Sequence, residues 1–192
     1  MKKNRSILRN LTWVSIGIFL SAVFFSAGVL ASSIKVSLDE LVERSGLVIS
    51  GTVVGKSSYR DPSFLMDIES RDAKGKLITR VENSNLILTD FEIEVSNVIS
   101  GSYDESKVHL TVIGGTVGNK STSLSSSFGL TPSRKYILFL GYEKRNDKWW
   151  TVAGRQGVFE EVVAGSNVFR TVNGERFTVE QLKARIQAST HE

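Results

Sequence analysis

Apolar and polar residues alternate along short segments of this chain, and this period of two constrains the fold more than any other feature. In the segment 89–95, Phe91, Ile93 and Val95 lie on one side of an extended chain, and the residues between them are polar. The segment 108–112 repeats the pattern. A strand of this kind buries one face and leaves the other in water. The pattern therefore predicts antiparallel strands with one buried face each.

Further segments have strand character without strict alternation. Residues 47–54 are apolar and β-branched, and residues 136–140 form a denser apolar run that suits a central strand. A polar turn at 145–148 leads into Trp149, and more strands are expected at 158–163 and 168–172. Many short strands joined by polar turns predict a mainly β fold, either a small antiparallel barrel or a sandwich.

Two short helices are predicted to flank these strands. Ser37 and Glu40 have the spacing of a reciprocal helix cap, and Thr178 and Gln181 repeat it near the other end. Gly46 is expected to end the first helix.

Two long polar stretches interrupt the strand pattern, at 60–84 and at 114–133. The first can form an inner hairpin that turns at 72–75, and the second is rich in glycine and serine. Loops of this length in a compact domain are usually functional or disordered, and composition does not decide which.

Residues 1–31 have the features of an export signal. Four basic residues precede residue 10, an uncharged stretch runs from Leu11 to Leu30, and small residues stand at 29 and 31, the positions that a signal peptidase reads. We expect cleavage after Ala31, a location in the periplasm or outside the cell, and a single domain over residues 32–192. The apolar run is long enough that an uncleaved membrane anchor is the alternative.

Removal of this segment changes the charge of the chain. The full sequence has 24 basic and 20 acidic residues, and the four basic residues of the signal account for the whole excess. A formally neutral mature chain argues against nucleic acid as a partner, and membrane association is expected only if the signal is retained. The chain has no cysteine, so a packed core must hold the domain without disulfides.

The order of three segments resembles the netrin-like domain, the OB-type barrel also found in tissue inhibitors of metalloproteinases. The segments are residues 45–53, 91–101 with a terminal glycine turn, and 134–141, which runs basic, Tyr, apolar and then Gly. The Gly114-Gly115 and Gln156-Gly157 pairs add a likeness to a group of exported bacterial proteins. The resemblance implies a small antiparallel OB-like β-barrel. It does not extend to inhibition, because the inhibitors bind the protease zinc through an N-terminal cysteine and this chain has none.

No catalytic, cofactor or metal site is predicted. His109 should face solvent on a strand, His191 lies in the terminal tail, and no serine stands in a nucleophile turn. Residues 114–121 lack the contiguous Gly-Lys-Ser of a phosphate loop, and the acidic residues at 67–72 do not have the spacing of a calcium loop.

Aromatic residues are the candidates for an interaction site. Trp149 and Trp150 should point to opposite faces of a strand, one ring in the core and the other outward, near Tyr142 across the hairpin. Phe128 lies in the glycine-serine stretch. The leading hypothesis is an exported, non-enzymatic domain that binds another exported protein, with a protease as one candidate. The alternative is a module that binds extracellular polysaccharide, and a hydrolytic enzyme has the least support.

Overall fold

β-Strands form most of the regular structure of this protein. The computed structural model describes residues 35–71, 74, 76–123 and 128–189. The helices within them are α1 (Leu38–Arg44) and α2 (Val179–Ser189), with a short 3-10 turn at Gly154–Gly157. The strands are β1 (Leu47–Arg60), β2 (Leu65–Arg71), β3 (Leu77–Asn83), β4 (Ile87–Ser100), β5 (Lys107–Ile113), β6 (Gly115–Val117), β7 (Lys120–Thr122), β8 (Lys135–Glu143), β9 (Lys148–Thr151), β10 (Val158–Glu161), β11 (Val168–Arg170) and β12 (Arg176–Thr178).

Five of these strands join edge to edge in the order β1-β4-β5-β9-β8 and back to β1. Their pairings are antiparallel except at the seam between β5 and β9, where Leu110 lies opposite Trp149 in a single parallel pair. The ring is therefore only partly closed. Strands β10, β11 and β12 extend the sheet outward from β8. This arrangement confirms the prediction of a mainly β, barrel-like fold with a helix near each end.

Irregular pairing along β1 allows the sheet to curve. Its 14 residues pair with β4, and residues Leu47–Thr52 also pair with β8. The β1–β4 register shifts at three places, and each shift increases the local bend and twist. At the end of β4, Gly101 has a φ of +86° and a Cβ there would lie 2.5 Å from the Gly46 carbonyl oxygen. Only glycine fits this turn.

Alternate residues of β8 belong to two separate cores. Leu138 and Leu140 lie in the interior of the barrel, whereas Ile137 and Phe139 lie in a second core that includes Leu182 of α2. Both faces of β8 are therefore buried, which explains the continuous apolar run at 136–140.

The two helices begin as their sequences predict. At α2, the Thr178 N–H donates to Gln181 Oε1 at 2.9 Å, and the Gln181 N–H donates to Thr178 Oγ1 at 3.2 Å. At α1, Ser37 Oγ accepts from the Glu40 N–H at 3.1 Å. Helix α1 ends where its sequence predicts, because Ser45 is its C-cap and Gly46 follows directly, although the Gly46 N–H donates to the Leu140 carbonyl and not to a carbonyl of the helix.

The two long stretches contain strands of their own. Residues 65–83 include the antiparallel hairpin of β2 and β3, in agreement with the inner hairpin that the sequence allows. Residues 115–122 form a shorter hairpin of β6 and β7, which is a connection between strands rather than the strand-to-helix turn of a phosphate loop.

The described residues from Val36 onward form one compact unit. The predicted signal peptide, residues 1–31, and His191 lie outside the described residues. Within the part of the chain that the structure describes, no helix has the length and apolar character needed to cross a bilayer.

Candidate functional site

The hairpin of β2 and β3 is attached to the turn between β8 and β9. The Asn146 side chain accepts from the Leu65 N–H at 2.9 Å and donates to the Leu65 carbonyl at 3.1 Å. Arg145 Nη1 lies 2.8 Å from Asp67 Oδ1. These contacts join residues about 80 positions apart in the sequence. They place the hairpin beside the side of the barrel wall from which the side chains of β4, β5 and β9 point outward. We call this surface the outer face.

A chain of hydrogen bonds crosses the outer face. Lys148 Nζ donates to the Tyr59 hydroxyl at 2.8 Å, and that hydroxyl donates to Asp90 Oδ2 at 2.9 Å. Thr111 Oγ1 donates to the other Asp90 oxygen at 2.7 Å. The four side chains come from β1, β4, β5 and β9, so the network ties these four strands together.

The network changes the ionisation of two of its members. Burial raises the pKa of Tyr59, and Asp90 raises it further, although the hydrogen bond from Lys148 opposes both. Burial acts to lower the pKa of Lys148, but its hydrogen bond to Tyr59 and the nearby Asp90 and Asp61 raise that pKa above its ordinary value. Tyr59 therefore stays neutral and Lys148 stays charged at neutral pH, and the tyrosine proton is engaged by Asp90. This arrangement orders the outer face and does not present an activated nucleophile.

Trp150 lies on the outer face, where it forms part of the wall of two clefts. Its ring is half-buried and tilts against Phe64, with ring centroids 5.7 Å apart. A cleft of about 300 Å³ lies between the hairpin and the β8–β9 turn and is also lined by Phe64, Arg145 and Asn146. A second cleft of about 250 Å³ is lined by Trp150 together with Phe128 and Thr111.

Trp149 points to the opposite side of β9 and packs against the barrel core. Its ring contacts Tyr142 at a centroid distance of 5.1 Å and Tyr103 at 6.1 Å. Tyr142 is 44% exposed, and its hydroxyl donates to Asp147 in the adjacent turn. Trp149, Tyr142 and Tyr103 therefore form an aromatic cluster beside the interior of the barrel.

The structure divides the four aromatic candidates into two pairs. Phe128 and Trp150 line a common cleft, whereas Tyr142 and Trp149 contact each other on the other side of β9. Phe128 is half-buried against the barrel core and not freely exposed. The expectation of one inward and one outward tryptophan matches the geometry, but the outward ring is Trp150 and Tyr142 lies beside the inward one.

The other residues considered from the sequence have ordinary surroundings. His109 is exposed on β5, opposite Glu92 of β4. Glu92 in turn forms an ion pair with Lys107 at 2.5 Å. Among the described residues, no three or more His, Cys, Asp or Glu side chains converge in a way that could hold a metal ion.

Four residues of this site were missed by the sequence analysis: Tyr59, Phe64, Asn146 and Lys148. The turn at 145–148 was recognised, but its side-chain contacts with Leu65 and Tyr59 span 81 and 89 residues. No local pattern encodes contacts of that separation. The signal available in the sequence was a lysine directly before two tryptophans.

No protein-family model matches this chain, and no curated protein matches its sequence.

Proposed function

We propose that this protein is an exported binding domain built on an OB-type barrel. In such barrels five strands close the ring, and ligands bind on the face of the second and third strands between two loops, one after the first strand and one before the fifth. The ring order of β1, β4, β5, β8 and β9 supports this assignment, since β4 and β5 then correspond to the binding strands. The two loops correspond to the connection that carries β2 and β3 and to the β8–β9 turn.

The ligand that we propose is another exported protein, bound where the hairpin meets the outer face. The observation that carries this proposal is the exposure of Leu77, at 52%, and Val81, at 55%, on β3. Both side chains lie on one face of the hairpin because they are four residues apart in a strand. Val81 lies opposite Asp67, which binds Arg145. The exposed apolar side chains therefore belong to the face that adjoins the β8–β9 turn and the cleft at Trp150.

A protein partner fits this surface better than a sugar does. Sugar-binding sites commonly use an aromatic ring whose flat face is open, but the Trp150 ring is half-buried against Phe64. Apolar side chains that project from a hairpin beside charged residues, here Asp67 and Glu69 on the same face, are typical of protein contacts. A neutral mature chain also favours recognition by shape and a few anchors over electrostatic capture.

The proposal is tested with a hairpin variant. The purified protein is immobilised, proteins exported by the native host are passed over it, and the retained protein is identified and purified. Its affinity is then measured for the unaltered domain and for a domain carrying both Leu77→Ser and Val81→Ser. We expect the double variant to bind at least about tenfold more weakly, because anchors at the centre of an interface dominate its affinity.

Val163→Ser is the matched control, since Val163 is 63% exposed in the β10–β11 connection, away from the hairpin. It should bind as the unaltered domain does, and all three proteins should unfold at the same denaturant concentration. Equal weakening by the control and the double variant, or no weakening by the double variant, would contradict the proposal.

Polysaccharide is the second candidate ligand. The cleft of about 250 Å³ combines two aromatic residues, Phe128 and Trp150, with the hydroxyl-bearing Thr151 along its wall. An aromatic wall with nearby hydrogen-bonding groups suits a sugar ring. Under this proposal Trp150→Ala abolishes retention on a glycan column, whereas the hairpin double variant is retained normally. If Trp150→Ala is retained on the glycan column and the hairpin double variant loses its binding, the ligand is a protein.

A further inference from the structure

A separate cleft of about 430 Å³ lies beside the extension of the sheet formed by β10 and β11. Phe128, Leu130 and Val158 supply apolar wall, and all three pack in or against the barrel core. Arg155 from the 3-10 turn and Arg170 from β11 also line the cleft, and both are exposed. Its volume lies in the range of small-molecule sites, and polar groups make up most of its surface.

The positive charge of this cleft is not neutralised by the protein. Glu160 is its one acidic lining residue and lies opposite Arg170 in the β10–β11 pairing. The Glu160 carboxylate is nevertheless directed to Arg134, with Oε1 3.7 Å from Arg134 Nε. Neither Arg155 nor Arg170 has an ion pair with any residue that the structure describes. Once Glu160 is paired with Arg134, two guanidinium charges remain at the cleft.

A second observation points to an anion at the same place. Arg170 of β11 lies directly opposite Arg176 of β12 in the antiparallel pairing. Like charges in directly opposed positions of a sheet destabilise it. Glu160 lies opposite Arg170 on its other side, but its carboxylate is directed to Arg134, so a negative group bound at Arg170 would reduce this repulsion further.

We propose that this cleft binds a small organic acid, with its carboxylate held by Arg155 and Arg170 and its apolar body against Phe128, Leu130 and Val158. Guanidinium groups match the planar geometry of a carboxylate and can donate two parallel hydrogen bonds to it. This inference is independent of the protein-binding surface on the hairpin.

The test uses 4-phenylbutyrate as the probe and 4-phenylbutyramide as its uncharged control, in NMR titrations of the purified full chain. The carboxylate should bind with chemical-shift changes confined to the cleft, and the amide should bind at least about tenfold more weakly. Binding of the carboxylate should also weaken as salt is raised, because the guanidinium groups are exposed.

Arg155→Gln and Arg170→Gln keep a polar side chain at each position and remove its charge. Each should weaken binding of 4-phenylbutyrate by about tenfold, and the double variant should bind the acid no better than the amide. Arg80→Gln, an exposed arginine on β3 away from the cleft, is the control and should leave the affinity unchanged. Unfolding midpoints of all variants establish that they fold.

Four results would overturn the inference: no binding of the acid, equal binding of acid and amide, full affinity in the double arginine variant, or the same loss in Arg80→Gln. Tighter binding of 4-phenylbutyl phosphate than of 4-phenylbutyrate would overturn the choice of a carboxylate as the bound group.

Discussion

Truncation of neighbouring residues in β8 should destabilise the protein at both positions, because this strand is buried on both faces. Leu138 and Phe139 are each 0% exposed and belong to different cores. Leu138→Ala removes contacts within the barrel, and Phe139→Ala removes contacts with the helices and with Phe159, whose ring centroid lies 5.0 Å away. In an ordinary half-buried strand only one of two neighbours would matter.

The magnitudes follow from burial and from the cavity that each truncation leaves. A buried leucine or phenylalanine side chain contributes about 1.5–3 kcal/mol by its removal from water. The cavity term raises the loss to about 2–5 kcal/mol for Leu138→Ala and about 3–5 kcal/mol for Phe139→Ala. Strand β4 provides the contrast, since Phe91 is 1% exposed and Glu94 faces solvent. Phe91→Ala should cost about 3–5 kcal/mol and Glu94→Gln less than about 0.5 kcal/mol.

Urea unfolding of the four variants and the unaltered protein measures these differences, provided that the dependence on urea concentration keeps the same slope. If Phe139→Ala lowers the free energy of unfolding by less than about 1 kcal/mol while Leu138→Ala lowers it by the expected ~2–5 kcal/mol, the helices do not cover the face of β8 that points away from the barrel interior. A large loss at Glu94 would show that β4 is not exposed on that side.

Three further predictions concern the cap, the polar network and the N-terminus. Thr178→Ala should lower the free energy of unfolding by about 1 kcal/mol, because it leaves N–H groups of α2 without an acceptor, and Thr116→Ala at an exposed strand position should cost less in the same urea assay. The pKa of Tyr59 is higher in the folded protein than in the unfolded chain, so between the two pKa values the folded state binds more protons. The free energy of unfolding should therefore fall as the pH is raised above about 10, and it should fall less steeply in Tyr59→Phe. Protein purified from the native host should begin at Ser32, and an intact mass that includes residues 1–31 would show that the signal is retained.

Local patterns predicted the type of most elements of this fold. Alternation at Phe91 and Ile93 identified β4, and the reciprocal spacing of Thr178 and Gln181 identified the start of α2. These predictions succeed because their causes lie within a few residues: the side chains of a strand alternate, and the first turn of a helix needs acceptors for its free N–H groups. Gly46 indicated where α1 ends, but the hydrogen bond from its N–H to the Leu140 carbonyl, which is distant in sequence, could not be predicted.

The candidate site could be predicted only in part. The aromatic residues near the β8–β9 hairpin were identified because large apolar rings beside a polar turn are conspicuous in the sequence. Their division into an inner pair with Trp149 and an outer pair with Trp150 depends on which face of β9 meets the barrel interior. That orientation is set by the pairing of β9 with both β5 and β8, which the sequence does not display.

The sequence by itself determined that this chain is mainly β, that helices stand near its two ends and that its core contains no disulfide. Each of these properties follows from composition or from a short-range period. The tertiary structure alone decided that β1 pairs with both β4 and β8, and that the hairpin of β2 and β3 is attached to Arg145 and Asn146. It also brought Arg155 and Arg170 to one cleft. These contacts join residues far apart along the chain, and they form only when the closing sheet brings the strands that carry them together.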